Sequence, residues 1–161
     1  MKYYIITDTH FDHDRIIDFC NRSPDFEGII INNLKLIPKD TILIHLGDFA
    51  WYNHKYWHDL FLNKSPAILN WLIIGNHDKH TNSWYYDKGW DFVGETAMIK
   101  QYGKRIMFSH KPLPASDLYD VNVHGHLHNT GHHETYNEGK HICCYIEHHY
   151  KAQDLKKLIG M

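Results

Sequence analysis

Five short stretches place carboxylate, amide and imidazole side chains at or just beyond the end of an apolar run: Asp8-Thr9-His10, Gly47-Asp48, Gly75-Asn76-His77-Asp78, Ser109-His110 and Gly125-His126-Leu127-His128. A sheet that releases such residues from the ends of several strands gathers them at one rim, however far apart they lie in sequence. Oxygen and imidazole donors can hold two cations about 3.5 to 4 Å apart while leaving positions open for water and a phosphoryl group, which is what metal-assisted hydrolysis of a phosphate ester requires. The bridging ligand should be an anion with two oxygens, and Asp48 is the candidate. One residue separates Asp8 from His10 and His126 from His128. In extended backbone that spacing points both side chains the same way. One ion would then take Asp8, His10, Asp48 and His128, and the other Asp48, Asn76, His110 and His126. His77 stands beside a ligand and is left free to donate a proton. Glycines at 47, 75 and 125 allow the tight backbone that swings each ligand out of its strand.

The elements that must position these residues follow from periodicity. Lys2 to Thr7 is apolar and β-branched and reads as a buried strand that delivers Asp8 and His10 into a turn. Asp12 or Asp14 can cap a helix through about Cys20, and a second helix is expected from about Phe26 to Ile37. Strands at Thr41 to Leu46 and about Ile68 to Ile74 flank an aromatic helix from Trp51 to Asn63. Alternating strands and helices imply parallel strands joined by crossovers. The second half reads as short strands at Phe92 to Tyr102, Lys104 to Phe108, Val121 to His124 and, after an Asn137-Glu138-Gly139 turn, Ile142 to Ile146, followed by a helix from Lys151 to Ile159. The expected fold is α/β, with two packed mixed sheets flanked by helices.

The 161 residues suit a single domain over 1–161, able to bury roughly 70% of the surface its unfolded chain exposes. With 17 basic and 19 acidic residues, nothing marks a protein that coats nucleic acid or a membrane surface. Sixteen histidines point to metal or proton chemistry without locating it. Three cysteines with no CxxC pair argue against a disulfide framework and suggest a reducing, cytoplasmic setting. No run approaches about 18 apolar residues, so neither a signal peptide nor a membrane span is expected.

Taken together and in order, the five blocks resemble the signature of the calcineurin-like metallophosphoesterases, particularly the small bacterial and phage enzymes in Thr9-His10-Phe11-Asp12-His13 and Cys20-Asn21-Arg22-Ser23-Pro24. The resemblance implies a four-layer αββα sandwich and a bimetal centre on Asp8, His10, Asp48, Asn76, His110, His126 and His128. It also implies metal-hydroxide attack on a phosphate ester, with His77 as general acid. Imidazole, carboxylate and amide without thiolate suit manganese, iron, nickel or zinc, and among these the resemblance implies manganese. The family's protein phosphatases carry an Asp and an Arg just after the bridging Asp, where this chain reads Phe49-Ala50-Trp51-Tyr52. The expectation is therefore a phosphodiesterase acting on a nucleotide or other small phosphate ester, with Arg22 and His13 as candidate substrate contacts. Two alternatives stand beside it: a nuclease for short single strands, and a scaffold that binds metal without catalysis. His45 and His124 read as packed strand residues, with support of neighbouring ligands as the alternative, and His132-His133 as solvated loop rather than a surface metal trap. The aromatics Trp51, Tyr52, Tyr56 and Trp57 are divided between stacking a base and packing a helix.

Overall fold

The computed structural model describes residues 1–129 and 140–161. The expected turn at 137–139 and the His132-His133 pair lie outside the described residues. The first half of the chain builds a sheet from β1 (Lys2–Ile6), β2 (Thr41–His45), β3 (Leu69–Ile73) and β4 (Phe92–Gly94). These four are mutually parallel, and β9 (Gln153–Asp154) adds antiparallel to β1, giving the order β4-β3-β2-β1-β9. A second mixed sheet has the order β5-β6-β7-β8, from Thr96–Gln101, Lys104–Ser109, Val121–His124 and His141–Cys143.

Strand residues alternate between two cores, because successive side chains leave a strand on opposite faces. Ile5, Ile44 and Ile73 face the second sheet and meet Ile106, Phe108 and Val123. Their neighbours Ile6, Leu43 and Leu72 face outward against helices. Those helices are α1 (Arg15–Cys20), α2 (Phe26–Asn33), α3 (His54–Lys64) and α4 (Asn82–Lys88), which supply Ile16, Ile30, Phe61 and Tyr85. Burial on both faces explains why β1 and β2 read as unbroken apolar runs. The result is two packed mixed sheets flanked by helices. On the outer face of the second sheet lies Asn122, whose amide holds Leu113 N, Met107 O and Ser109 Oγ. Among the described residues no helix is long and apolar enough to cross a membrane.

Several boundaries differ from the sequence reading, each for a tertiary reason. The aromatic helix begins at His54 rather than Trp51, because Trp51 N–H donates to Phe11 O at 2.7 Å and Ala50 bridges Phe11 in parallel. The apolar stretch 92–102 is two strands in different sheets, β4 and β5, so the chain passes between sheets at Glu95. The second helix ends at Asn33 and continues as a 3-10 turn, Leu34–Leu36. The strand expected at Ile142 to Ile146 runs instead from His141 to Cys143, as β8. The terminal helix shortens to α5 (Leu155–Leu158), because Gln153 and Asp154 are drawn into pairing with Ile5 and Tyr4. Helix α4 has no counterpart in the sequence reading, although Thr81 caps it through Trp84 N and Gly89 ends it at φ 106°.

The outer core is unusual in enclosing an imidazole. His58 is fully buried, accepts from Trp90 Nε1–H at 2.9 Å and stacks on Phe49 at 3.9 Å. Burial, reinforced by His45, His54 and His80, holds its pKa down to about 2. The unfolded imidazole takes up a proton near pH 6.5 and the folded one does not, so this stabilisation is whole above pH 6.5 and is lost as pH falls toward 2. His58→Leu is expected to flatten the acid limb by up to one proton, about 1.4 kcal/mol per pH unit. At pH 7 it should cost about 1 to 3 kcal/mol for the stranded Trp90 N–H. Urea unfolding between pH 7 and 5 measures both, and an unchanged slope would contradict the assignment.

Candidate metal centre

The carboxyl ends of β1, β2, β3, β6 and β7 all open at one rim, where the two sheets are tied together. His110 Nδ1 lies 2.8 Å from Leu46 O, and His126 N–H donates to Asp8 Oδ2 at 3.0 Å. Two donor clusters result: Asp8, His10 and His128 in one, and Asp48, His110 and His126 in the other. Asn76 joins the second, with its Oδ1 3.1 Å from His110 Nε2. All seven residues named from sequence as metal ligands therefore converge.

Asp48 stands between the clusters. Its Oδ1 accepts from His77 N–H at 2.8 Å. Its Oδ2 lies 3.3 Å from His110 Nε2 on one side and 3.7 Å from His10 Nε2 on the other. The first cluster leaves buried atoms without hydrogen-bond partners among the described residues, namely Asp8 Oδ1 and both ring nitrogens of His10. His10 Nε2 and His128 Nε2 face Asp8 Oδ1 at 3.8 and 3.7 Å. Donors bound to a cation at about 2.1 Å stand roughly 3 to 4 Å from one another, depending on the angle at the ion, so these orphaned atoms have the spacing and chemistry of a metal site. The residues fit the cations their chemistry implies.

The backbone route differs from the expected one. Asp8, His10, Asp48, His126 and His128 all take left-handed φ, between 48° and 70°, rather than extended geometry. Side-chain-bearing residues adopt that region at a cost of about 1 kcal/mol or more each, and such strain persists where surrounding bonds over-determine it. Here the bonds are Asp8 N to Gly47 O and His10 N to Asp48 O. Of the three glycines only Gly47 needs a positive φ, at 96°. Gly75 and Gly125 serve clearance, since a Cβ would overlap the Asp48 carboxylate at one and the Asp8 carboxylate at the other.

Burial lowers His110 and His128, but their partners outweigh it: Asp48 and Asp8 push His110 up to about 9, and hydrogen bonds with Cys20 and Glu147, together with Asp8, push His128 up to about 10. Burial opposes ionisation of Asp48, yet His110 and His10 hold its carboxyl well below the usual range. His10 is pressed down to about 2, chiefly by burial.

His77 is about one-third exposed at the mouth of an open cavity of about 1100 Å³ and packs against Trp51 at 4.7 Å. His13 lines the same cavity, stacked on Trp51 at 4.2 Å. Arg22 requires a correction: it is not at the cavity but inside the protein. Its guanidinium is fully buried and donates to Thr9 O, Asp8 O and the Glu147 carboxylate. The planar fork answers two carbonyls of the strained loop and one carboxylate together, which leaves none of it for substrate. Arg15, exposed and 4.9 Å over Phe19, is the arginine that lines the cavity. The aromatic group also divides: Trp57 stacks on Phe11 at 4.6 Å in the core, whereas Trp51 and Tyr52 form cavity wall. His45 joins two ligand loops, with Nδ1 accepting from Gly47 N and Nε2 meeting Thr9 Oγ1. Glu147 lay outside every motif, and only its position in space reveals it.

The family profile of the calcineurin-like phosphoesterases matches residues 1–156, and the chain belongs to that family. It is a phosphoester hydrolase of a metal-dependent family. An uncharacterized protein of Methanocaldococcus jannaschii is 31% identical over 144 residues, 79% of this chain and 69% of its own length. A protein of unknown function from Aquifex aeolicus superposes with a TM-score of 0.77 at 28% identity, over 98% of this chain and 97% of its own. A novel archaeal phosphodiesterase superposes with a TM-score of 0.51 at 23% identity, over 80% and 74% of the two chains, a likeness of fold.

Asp78 has a structural role the sequence left open. Its buried carboxylate accepts from Asp48 N and Gly75 N, each at 2.8 Å, and from Phe49 N at 3.0 Å, tying the β2 and β3 loops together. Burial and the Asp48 charge raise its pKa to about 6, against the pull of those three donors. Asp78→Asn turns an amino group toward at least one of these N–H groups. The expected cost is about 3 kcal/mol, read as a lower denaturation midpoint; an unchanged midpoint would refute the tie.

Proposed function

We propose that this protein is a binuclear, metal-dependent phosphodiesterase acting on a nucleotide or another small phosphate ester. The observation that carries the reading is Asp48 Oδ2, placed between His10 of one donor cluster and His110 of the other. Asp8, His10, Asp48 and His128 would hold one ion and Asp48, Asn76, His110 and His126 the second; these donors suit manganese, iron, nickel or zinc, and manganese, which the resemblance implies, is the first to test. Bound cations would supply an activated water and neutralise the phosphoryl oxygens. His77 sits over the cavity 3.8 Å from Asp48 Oδ2 and would protonate the leaving oxygen. Among the described residues no carboxylate lies within hydrogen-bond distance of its ring, and Trp51 and His10 pack against it. His13 and Arg15 are the candidate substrate contacts. Because Trp51 is already packed against His13 and His77, and Arg15 lies over Phe19, the exposed Tyr52 is better placed to receive a base.

Manganese-loaded protein is expected to hydrolyse bis-p-nitrophenyl phosphate above a chelated control, and equal rates would defeat the proposal. His77→Ala should slow a diester with a poor leaving group about 10²- to 10⁴-fold and affect a nitrophenolate leaving group far less. Loading should also release protons at neutral pH, because His110 and His128 are protonated below about 9 and 10 and a ligand needs the free lone pair. Apparent affinity should therefore fall as pH falls. Calorimetry in buffers of different ionisation enthalpy reads that release directly.

A further inference from the structure

We propose that Glu147, locked in place by Arg22, is a positioning residue for His128 and through it for the first cation site. The inference rests on the paired-cation reading above. Glu147 is buried, and its Oε1 receives His128 Nδ1 at 2.8 Å, Arg22 Nη2 at 2.6 Å and Arg22 Nε at 3.2 Å. A neutral imidazole carries one N–H, and a carboxylate can only accept. In the neutral form that binds a cation the proton therefore belongs on Nδ1, and Nε2, 3.7 Å from Asp8 Oδ1, keeps the lone pair that would be offered to a cation between them. Outer partners of this kind fix a ligand's tautomer and ring orientation.

Arg22 makes the arrangement a closed clamp. Nη1 donates to Thr9 O at 2.9 Å and Nη2 to Asp8 O at 2.7 Å, so the cation that holds Glu147 also holds the left-handed loop presenting Asp8 and His10. Three ligands of one ion, drawn from residues 8, 10 and 128, thus share a single buried ion pair. The second cluster has no part in it. Its His110 is oriented by Leu46 O instead. Loss of the clamp should therefore act on one ion and spare the other.

A rival role must be separated from this one. Cys20, His128 and Glu147 also lie close enough to hold a cation, and Glu147 Oε2 has no hydrogen-bond partner among the described residues. Cobalt(II) titration of the full chain, followed by its visible absorption and by equilibrium dialysis, distinguishes the two. Wild type should bind two equivalents. Glu147→Gln, and Glu147→Asp, which keeps a charge opposite Arg22, should each weaken one equivalent about ten- to hundredfold and leave the other unchanged. Thermal melting of the metal-free proteins reports folding separately. Two equivalents at wild-type affinity in both variants would overturn the proposal. So would parallel weakening of both sites with a fall in melting temperature, which is a general lesion. A thiolate-to-cobalt band abolished by Cys20→Ser would also overturn it, by making Glu147 a ligand. Wild type that binds no cobalt would sink the paired-cation reading itself, an outcome distinct from unchanged variants.

Discussion

The burial of two carboxylates, Asp8 and Asp48, among imidazoles at the junction of two sheets is the constraint on which the rest of the structure depends. Each is almost wholly removed from water. Charges so placed are costly unless they are paired, hydrogen-bonded or bound to metal. The protein meets part of that demand internally. Thr7 Oγ1 and His126 N donate to one oxygen of Asp8, and His77 N donates to one oxygen of Asp48. The remaining oxygens, Asp8 Oδ1 and Asp48 Oδ2, point at imidazole nitrogens. The internal bonding stops where cations would take over.

Around this centre the chain is bound loop to loop. Asp78 joins the loops after β2 and β3, His45 joins the loop after β2 to Thr9, and Arg22 with Glu147 joins the loop after β1 to His128. Each tie uses a buried polar side chain against backbone groups. That is why left-handed geometry at Asp8, His10, Asp48, His126 and His128 can persist despite its cost. The same economy explains the fate of Arg22. An arginine near the site in sequence is more useful to this loop as a fork for its carbonyls than as an exposed phosphate contact.

The histidines divide according to what surrounds them. His10, His110, His126 and His128 face carboxylates, three of them also lining the open cavity, His58 faces an indole N–H, and His13 and His77 stand at the cavity beside Trp51. Imidazole serves all three settings because it can accept, donate or bind metal with one ring. Composition alone could show an excess of histidine without sorting it.

By itself the sequence determined which carboxylate, amide and imidazole donors gather, the strands that carry them and the two-sheet fold, because strand period and the placement of donors at strand ends are local properties. It determined the rim too, since parallel strands end together. Only the tertiary structure decided that Arg22 is internal, that Glu147 supports His128, that Asp78 ties two backbones and that 92–102 is split between sheets. These depend on contacts between residues distant in sequence: Glu147 lies 125 residues from Arg22. The left-handed turns are likewise read only in space, because hydrogen bonds from neighbouring loops, rather than the propensities of Asp8 or His10, select them.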